Sequence, residues 1–309
     1  MLSRVAERIY WAARYLERVE NTARLVSVYA NLLLDLPRGV NIDWYNLVII
    51  NGGTAEFEER FKNQDERNVV KFLLADETNS SSMLSSLNMM RENIRTTRDV
   101  VPADTWELVN ELFIFVKDHM QQAVNRSGRH DFLDEIINGC QQINGLLSGT
   151  MSQDAAWEFL RLGRNLERAD MTTRILDAGS AALIHAEMKD GINLPQIIWG
   201  NVLRSVSADQ AYRRTVRGPV TGRDVATFLL EDEYFPRTVV FCLDHMLDSV
   251  SKLPQNEALH KQFVNAQRKV INVVDYSDLG EPFRDYINDL QLLIANLHKS
   301  IVDNWFSIG

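Results

Sequence analysis

The chain has 309 residues, 45% of them hydrophobic and 24% charged, with a formal net charge of −9. That length and balance belong to a soluble globular protein with ample core, as one domain or two. The acidic balance argues against a nucleic-acid binder, which normally carries a basic footprint. No apolar run approaches the roughly 18 residues that a membrane span needs.

Only 7 prolines and 15 glycines punctuate the sequence, which favours long helices over many short strands. The first helix is expected from Ser3, an acceptable N-cap, to about Leu36, with Pro37 and Gly39 as its stop. Its apolar stripe is Val5, Ile9, Ala12, Leu16, Val19, Ala23, Val26 and Ala30, at alternating spacings of four and three. A second stripe of the same spacing is polar: Glu7, Tyr10, Arg14, Glu17, Asn21 and Arg24. Further helices are expected at roughly 42–51, 54–64, 66–75, 81–99, 103–126 and 131–148. A second long helix carries the apolar stripe Phe159, Leu162, Leu166, Ala169, Thr173, Leu176, with Trp157, Leu160, Arg164, Glu167, Met171 and Arg174 beside it. The remainder reads as helices at roughly 194–205, 207–216, 222–230, 237–252, 256–274 and 282–307, several with a proline near the start. Gly52-Gly53 reads as a turn and Arg217–Gly222 as a loop. No alternating apolar–polar run supports a strand, so the fold class is all-α.

One pattern occurs twice. Arg14-x-Leu16-Glu17-Arg18-x-Glu20-x-Thr22-x-Arg24 returns as Arg164-x-Leu166-Glu167-Arg168-x-Asp170-x-Thr172-x-Arg174, with one carboxylate exchanged for another. Phe72-Leu73-Leu74-x-Asp76-Glu77 likewise returns as Phe228-Leu229-Leu230-x-Asp232-Glu233, and Trp44 with Trp199 makes a weaker third pair. The expectation is an internal duplication: a helical bundle with two long pseudo-symmetric helices. The repeats would span 1–150 and 151–309, packed as one globular unit and joined at Ser148–Ser152.

The duplicated rows carry the charge that chemistry would need. Glu20 with Arg24 and Asp170 with Arg174 are i,i+4 pairs in the favoured acid-first order. Arg18 and Arg168 lie about 100° around the helix from the rows. One reading is a buried ion-pair network, because buried charge must be paired. The other is a polar groove in which the arginines hold an anionic or peptide ligand. A second cluster, Arg91, Glu92, Arg95 and Arg98, is either a candidate anion site or a surface ion-pair face. Metal signals are weak, since Glu257-x-x-His260 is a single match where a di-metal bundle needs two. There is no P-loop, dinucleotide fingerprint or nucleophile elbow, so no cofactor and no catalytic residue is assigned. Cys140 and Cys242 read as buried small apolar side chains, which suits a reducing cytoplasm. The charged opening (Arg4, Glu7, Arg8) is not expected to form a signal-peptide core.

Together the opening Met1–Trp11, the Tyr15–Arg24 segment, Arg91-Glu92-Asn93-x-Arg95-x-x-Arg98-Asp99 and the Leu166–Asp170 repeat resemble the bacterial alpha-E domain family over essentially the whole chain. The family often has Asn-Pro before the Ser-Ser of the helix that follows Phe-Leu-Leu; here Ser80 follows Asn79. The resemblance implies a partnership with circularly permuted ATP-grasp proteins, and with transglutaminase-like or peptidase-like proteins, in peptide synthesis or modification. It implies no catalytic residue. A helical scaffold that presents a peptide or carboxylate substrate is therefore the leading expectation. The alternative is an enzyme acting on a peptide or amide bond, with Glu17, Glu167 or Glu92 as general base. A purely structural homo-oligomer is a third class.

Overall fold

The computed structural model describes residues 3–36, 42–184, 193–271, 276 and 278–306. All regular structure among them is helical: α1 Ser3–Asp35, α2 Asn46–Ile50, α3 Thr54–Arg60, α4 Glu66–Val70, α5 Met83–Arg95, α6 Asp104–Val124, α7 Arg126–Thr150, α8 Ala155–Ile184, α9 Leu194–Ser205, α10 Asp209–Val216, α11 Gly222–Glu231, α12 Val239–Lys252, α13 Glu257–Ile271 and α14 Glu281–Trp305. A π-helical turn, Lys71–Ala75, continues α4. The expected helix stops Pro37 and Gly39, and residues 272–274 and 307 of two expected helices, lie outside the described residues.

Several helix starts follow from capping. Asp65, Ser82, Asn193, Thr221 and Thr238 each precede a helix and accept a hydrogen bond from the backbone N–H three residues on. Ser82 therefore starts α5 without a preceding proline. Ser3 is the first residue of α1, and its hydroxyl donates to the Trp305 carbonyl at 2.6 Å. Gly52 takes φ 69° in the turn after α2, and Arg217 ends α10 in the left-handed region at φ 53°.

One expected boundary moves by five residues. The α7 helix begins at Arg126, not 131, because one extended residue, Asn125, suffices to reverse the chain. Arg129 in its first turn donates from Nε to the Ala123 carbonyl at 2.8 Å and from Nη2 to that of Val124 at 3.3 Å. This satisfies carbonyls that the end of α6 leaves open. The α6–α7 hairpin closes on Phe115 stacked with Phe132, and on Gly139 against Leu112.

Two compact units result: 1–27, 44–164 and 304–309 in the first, and 28–43 with 165–303 in the second. Their limits at 27/28 and 164/165 fall inside α1 and α8. The expected join at 148–152 covers the last turn of α7 and the gap before α8. The first unit packs Phe57 edge-on against Phe72, and Phe159 against Trp305 and Phe306. In the second, the fully buried Trp199 lies against Gly179 and Gly222. Cys140 and Cys242 are buried, as expected, and are not joined in a disulfide.

Candidate functional site

The middle of the polar stripe of α1 is buried, while Glu7 and Arg24 at its ends are partly exposed. Glu17 is 0% exposed, Asn21 2%, Glu20 3% and Arg14 8%. A helix places these residues on adjoining stripes whatever covers them; here the apolar stripe from Ile9 to Val26 and the polar stripe from Tyr10 to Asn21 are both buried. The Arg14 guanidinium sits 4.8 Å from the Trp11 ring centroid and 5.9 Å from that of Tyr10. Arg24 Nη2 meets Glu20 Oε1 at 2.5 Å. Half-buried Arg18 approaches the Tyr15 ring at 5.8 Å.

The row on α8 repeats this chemistry with more exposure. Glu167 is 3% exposed, and Arg164 lies over the Trp157 ring at 5.7 Å. Arg174 Nε donates to Asp170 Oδ2 at 2.8 Å, but those side chains are 32% and 21% exposed. Arg168 is half-buried. Thr22 and Thr172 are both buried, and the Thr172 hydroxyl donates to the Arg237 carbonyl at 2.7 Å. A further buried pair on this helix, Glu158 with Arg161 at 2.9 Å, was readable only as an i,i+3 spacing.

The third cluster gathers on α5, the turn after it and α6. Arg91 Nε donates to Asn110 Oδ1 at 2.8 Å, and its guanidinium lies 5.2 Å from the Trp106 centroid and 5.0 Å from that of Phe113. Arg98 covers the Trp106 ring at 4.0 Å. Glu92 takes Arg91 at 3.3 Å and Arg95 at 2.9 Å. The arginines do share one region, but aromatic rings and one carboxylate already engage them. Among the described residues, no group of three or more His, Cys, Asp and Glu side chains could hold a metal ion, and Glu257 and His260 stand at the start of α13.

A feature that sequence reasoning missed adjoins this cluster. A cavity of about 460 Å³ opens in the first unit, lined by Tyr15, Glu77, Leu84, Asn88, Phe113 and Lys117 among others. Its only sequence trace is the repeated Phe-Leu-Leu-x-Asp-Glu segment, whose first copy ends in Glu77.

No helix among the described residues is long and apolar enough to cross a membrane, and no solved structure matches the chain. Uncharacterized proteins of Mycobacterium bovis and Mycobacterium tuberculosis are 21% identical over 322 residues, covering 97% of this chain and 36% of each relative. The chain thus spans about a third of the length of the curated relatives it matches. Residues 1–306 match the model of a family described as a predicted alpha-helical domain with a conserved ER motif. A Glu-Arg dipeptide stands in both charged rows, as Glu17-Arg18 and Glu167-Arg168, and also at Glu7-Arg8, Glu59-Arg60 and Glu66-Arg67. With the match covering nearly the whole chain, the protein belongs to the Alpha-E family.

Proposed function

We propose that the chain is a helical partner or scaffold of an ATP-grasp ligase in a peptide synthesis or modification system, and that it presents a peptide or carboxylate substrate. The observation that carries this reading is the coverage: 97% of the chain corresponds to 36% of each relative, so there the same unit is joined to further sequence. A unit built to work beside other domains needs no reaction of its own. The rows support this role, since Arg24 and Arg174 are held by Glu20 and Asp170, a structural use of charge. The site of action would be the cytoplasm, with a transglutaminase-like or peptidase-like protein as a second partner. Co-purification with an ATP-grasp protein from the same genome, read beside ligase turnover, tests the proposal. Association with a change in turnover is expected; no association and no change would overturn it.

The full burial of Glu17 favours a second reading, an enzyme acting on a peptide or amide with this carboxylate as general base. It requires product formation by the purified chain alone, lost in Glu17→Gln.

We also infer that the chain arose by internal duplication. Caps recur at a constant offset of 156 residues: Asp65 and Thr221 before α4 and α11, then Ser82 and Thr238 before α5 and α12. Asp76 and Asp232, at the same offset, each accept from the backbone N–H two residues on, at 2.9 Å. A crystal structure in which 65–95 fails to superpose on 221–251 would overturn the inference.

A further inference from the structure

We propose that the cavity of the first unit binds a short peptide with free termini and apolar side chains, Glu77 taking the ammonium group and Lys117 the carboxylate. This rests on the reading of the chain as a partner that presents a peptide, and it names the place and the chemistry. The cavity combines apolar walls with a few polar groups, the usual make-up of a ligand site, and its volume of about 460 Å³ lies in the usual range.

The walls are apolar and partly wet. Leu84 and Phe113 stand with Tyr15 of α1 around the cavity. Met89 beside them is 46% exposed, although a flexible thioether gains by covering an apolar ligand. Ser80 and Asn88 add neutral hydrogen-bonding groups. Opposite charges come from different elements, Glu77 from the turn before α5 and Lys117 from α6. A ligand carrying both charges about an apolar body matches this set, whereas a simple anion would leave one charge unused and an uncharged hydrocarbon both.

Glu77 stands on a turn that is held in place. Asp76 Oδ1 accepts from the Thr78 N–H at 2.9 Å and from its hydroxyl at 2.6 Å. Arg60 Nη1 reaches Asp76 at 3.2 Å, and buried Asn79 donates to the Phe72 carbonyl at 3.0 Å. The Ser85 hydroxyl donates to the Glu77 carbonyl at 3.2 Å. A carboxylate on a braced turn loses less freedom when it binds, which is preorganisation.

The chain also shows what closes such a space. At the offset of 156 residues, Phe241 stands where the first unit has Ser85, and His245 where it has Met89. Those two rings stack at 3.8 Å on α12. If the two copies correspond as inferred above, small Ser85 and unbranched Met89 stand on α5 at the positions that two stacked rings take on α12. Ser85→Phe is therefore a cavity-filling variant taken from the chain itself.

The test is calorimetric titration of the full chain with leucylleucine and alanylphenylalanine, each also in N-acetylated and C-amidated form. Binding of at least one free dipeptide is expected, weakened roughly fivefold by blocking either end, as for a solvent-exposed charge pair. Glu77→Gln should remove the penalty for acetylation and spare that for amidation; Lys117→Ala should do the reverse; Ser85→Phe should abolish binding. Circular dichroism melts verify that each variant folds, and the two surface variants decide the matter if Ser85→Phe does not. Absence of binding by both dipeptides at millimolar concentration would overturn the proposal. So would equal affinity for free and blocked forms. Co-purification of the wild-type chain with the ligase is read separately, so a silent titration beside intact association rejects this site alone.

Discussion

Gly163 of α8 packs directly on the carbonyl oxygen of Tyr10 in α1. A Cβ built at 163 would lie far inside van der Waals contact of that oxygen, with the Tyr10 carbonyl carbon at 3.0 Å. The obstacle is backbone, so no rotamer change relieves it. Gly163→Ala should therefore destabilise by about 1–3 kcal/mol, as overpacking does. At Gly145 and Gly149 of α7 an added Cβ meets nothing within 4 Å, and there alanine should stabilise by about 0.5–1 kcal/mol. Urea denaturation of the three variants checks both signs, and a neutral Gly163→Ala would refute the close crossing.

The two charged rows should respond unequally to the same substitution. Arg24 and Glu20 have side chains 14% and 4% exposed, so Arg24→Ala leaves a carboxylate buried without its guanidinium and should cost about 3 kcal/mol. Arg174 and Asp170 are reached by water, and Arg174→Ala should cost under about 1 kcal/mol. Equal losses in thermal melts would contradict this difference in burial.

Glu66 anchors α4 to the start of α7. Burial alone would raise its carboxyl, but hydrogen bonds from Arg126 and Arg129, with their charges, outweigh it and hold the group below its ordinary value of 4.5. A depressed carboxylate contributes stability that is present above that ordinary value and is lost as pH falls through the folded value. The melting temperature should therefore drop as pH falls below 4.5, and Glu66→Gln should flatten that part of the profile while lowering stability at neutral pH. Arg129, 5% exposed, also holds two carbonyls of α6, so Arg129→Ala should cost about 3 kcal/mol. Arg126, 82% exposed, should matter little.

At alkaline pH the second unit should weaken first. Burial, above all, raises the Tyr276 and Tyr286 hydroxyls above the ordinary value of 10.0, with Glu231 adding to it, and the Tyr286 group reaches about 12. A raised value means that the fold keeps the proton longer than the open chain does. Stability is then complete below 10.0 and is lost as pH rises through the folded values. Spectrophotometric titration should show Tyr276 and Tyr286 among the late-ionising tyrosines, beside Tyr212, which burial also raises, and Tyr286→Phe should remove one of them.

Periodicity and punctuation made much of the helical order legible before any coordinates: the helices expected at roughly 194–205 and 222–230 are α9, with a proline in its first turn, and α11. The start of α7 was not legible, because what holds it is Arg129 reaching back to the end of α6, a contact that no local pattern shows. Helical spacing showed that Arg14, Glu17, Asn21 and Arg24 share a face. It could not show what lies over that face, so the buried network and the ligand groove were both left open. The cavity was hidden for a different reason. It depends on the sizes of Tyr15, Ser85, Met89 and Phe113, which no local pattern relates.

The most direct test of the account is ATP-dependent turnover by the partner ATP-grasp protein with a peptide or amino-acid substrate, measured alone, with the wild-type chain and with Glu17→Gln. The account predicts no product from the chain by itself, a clear change in ligase turnover when it is added, and the same change with any Glu17→Gln protein that folds. Product from the isolated chain, abolished in folded Glu17→Gln, would contradict the account.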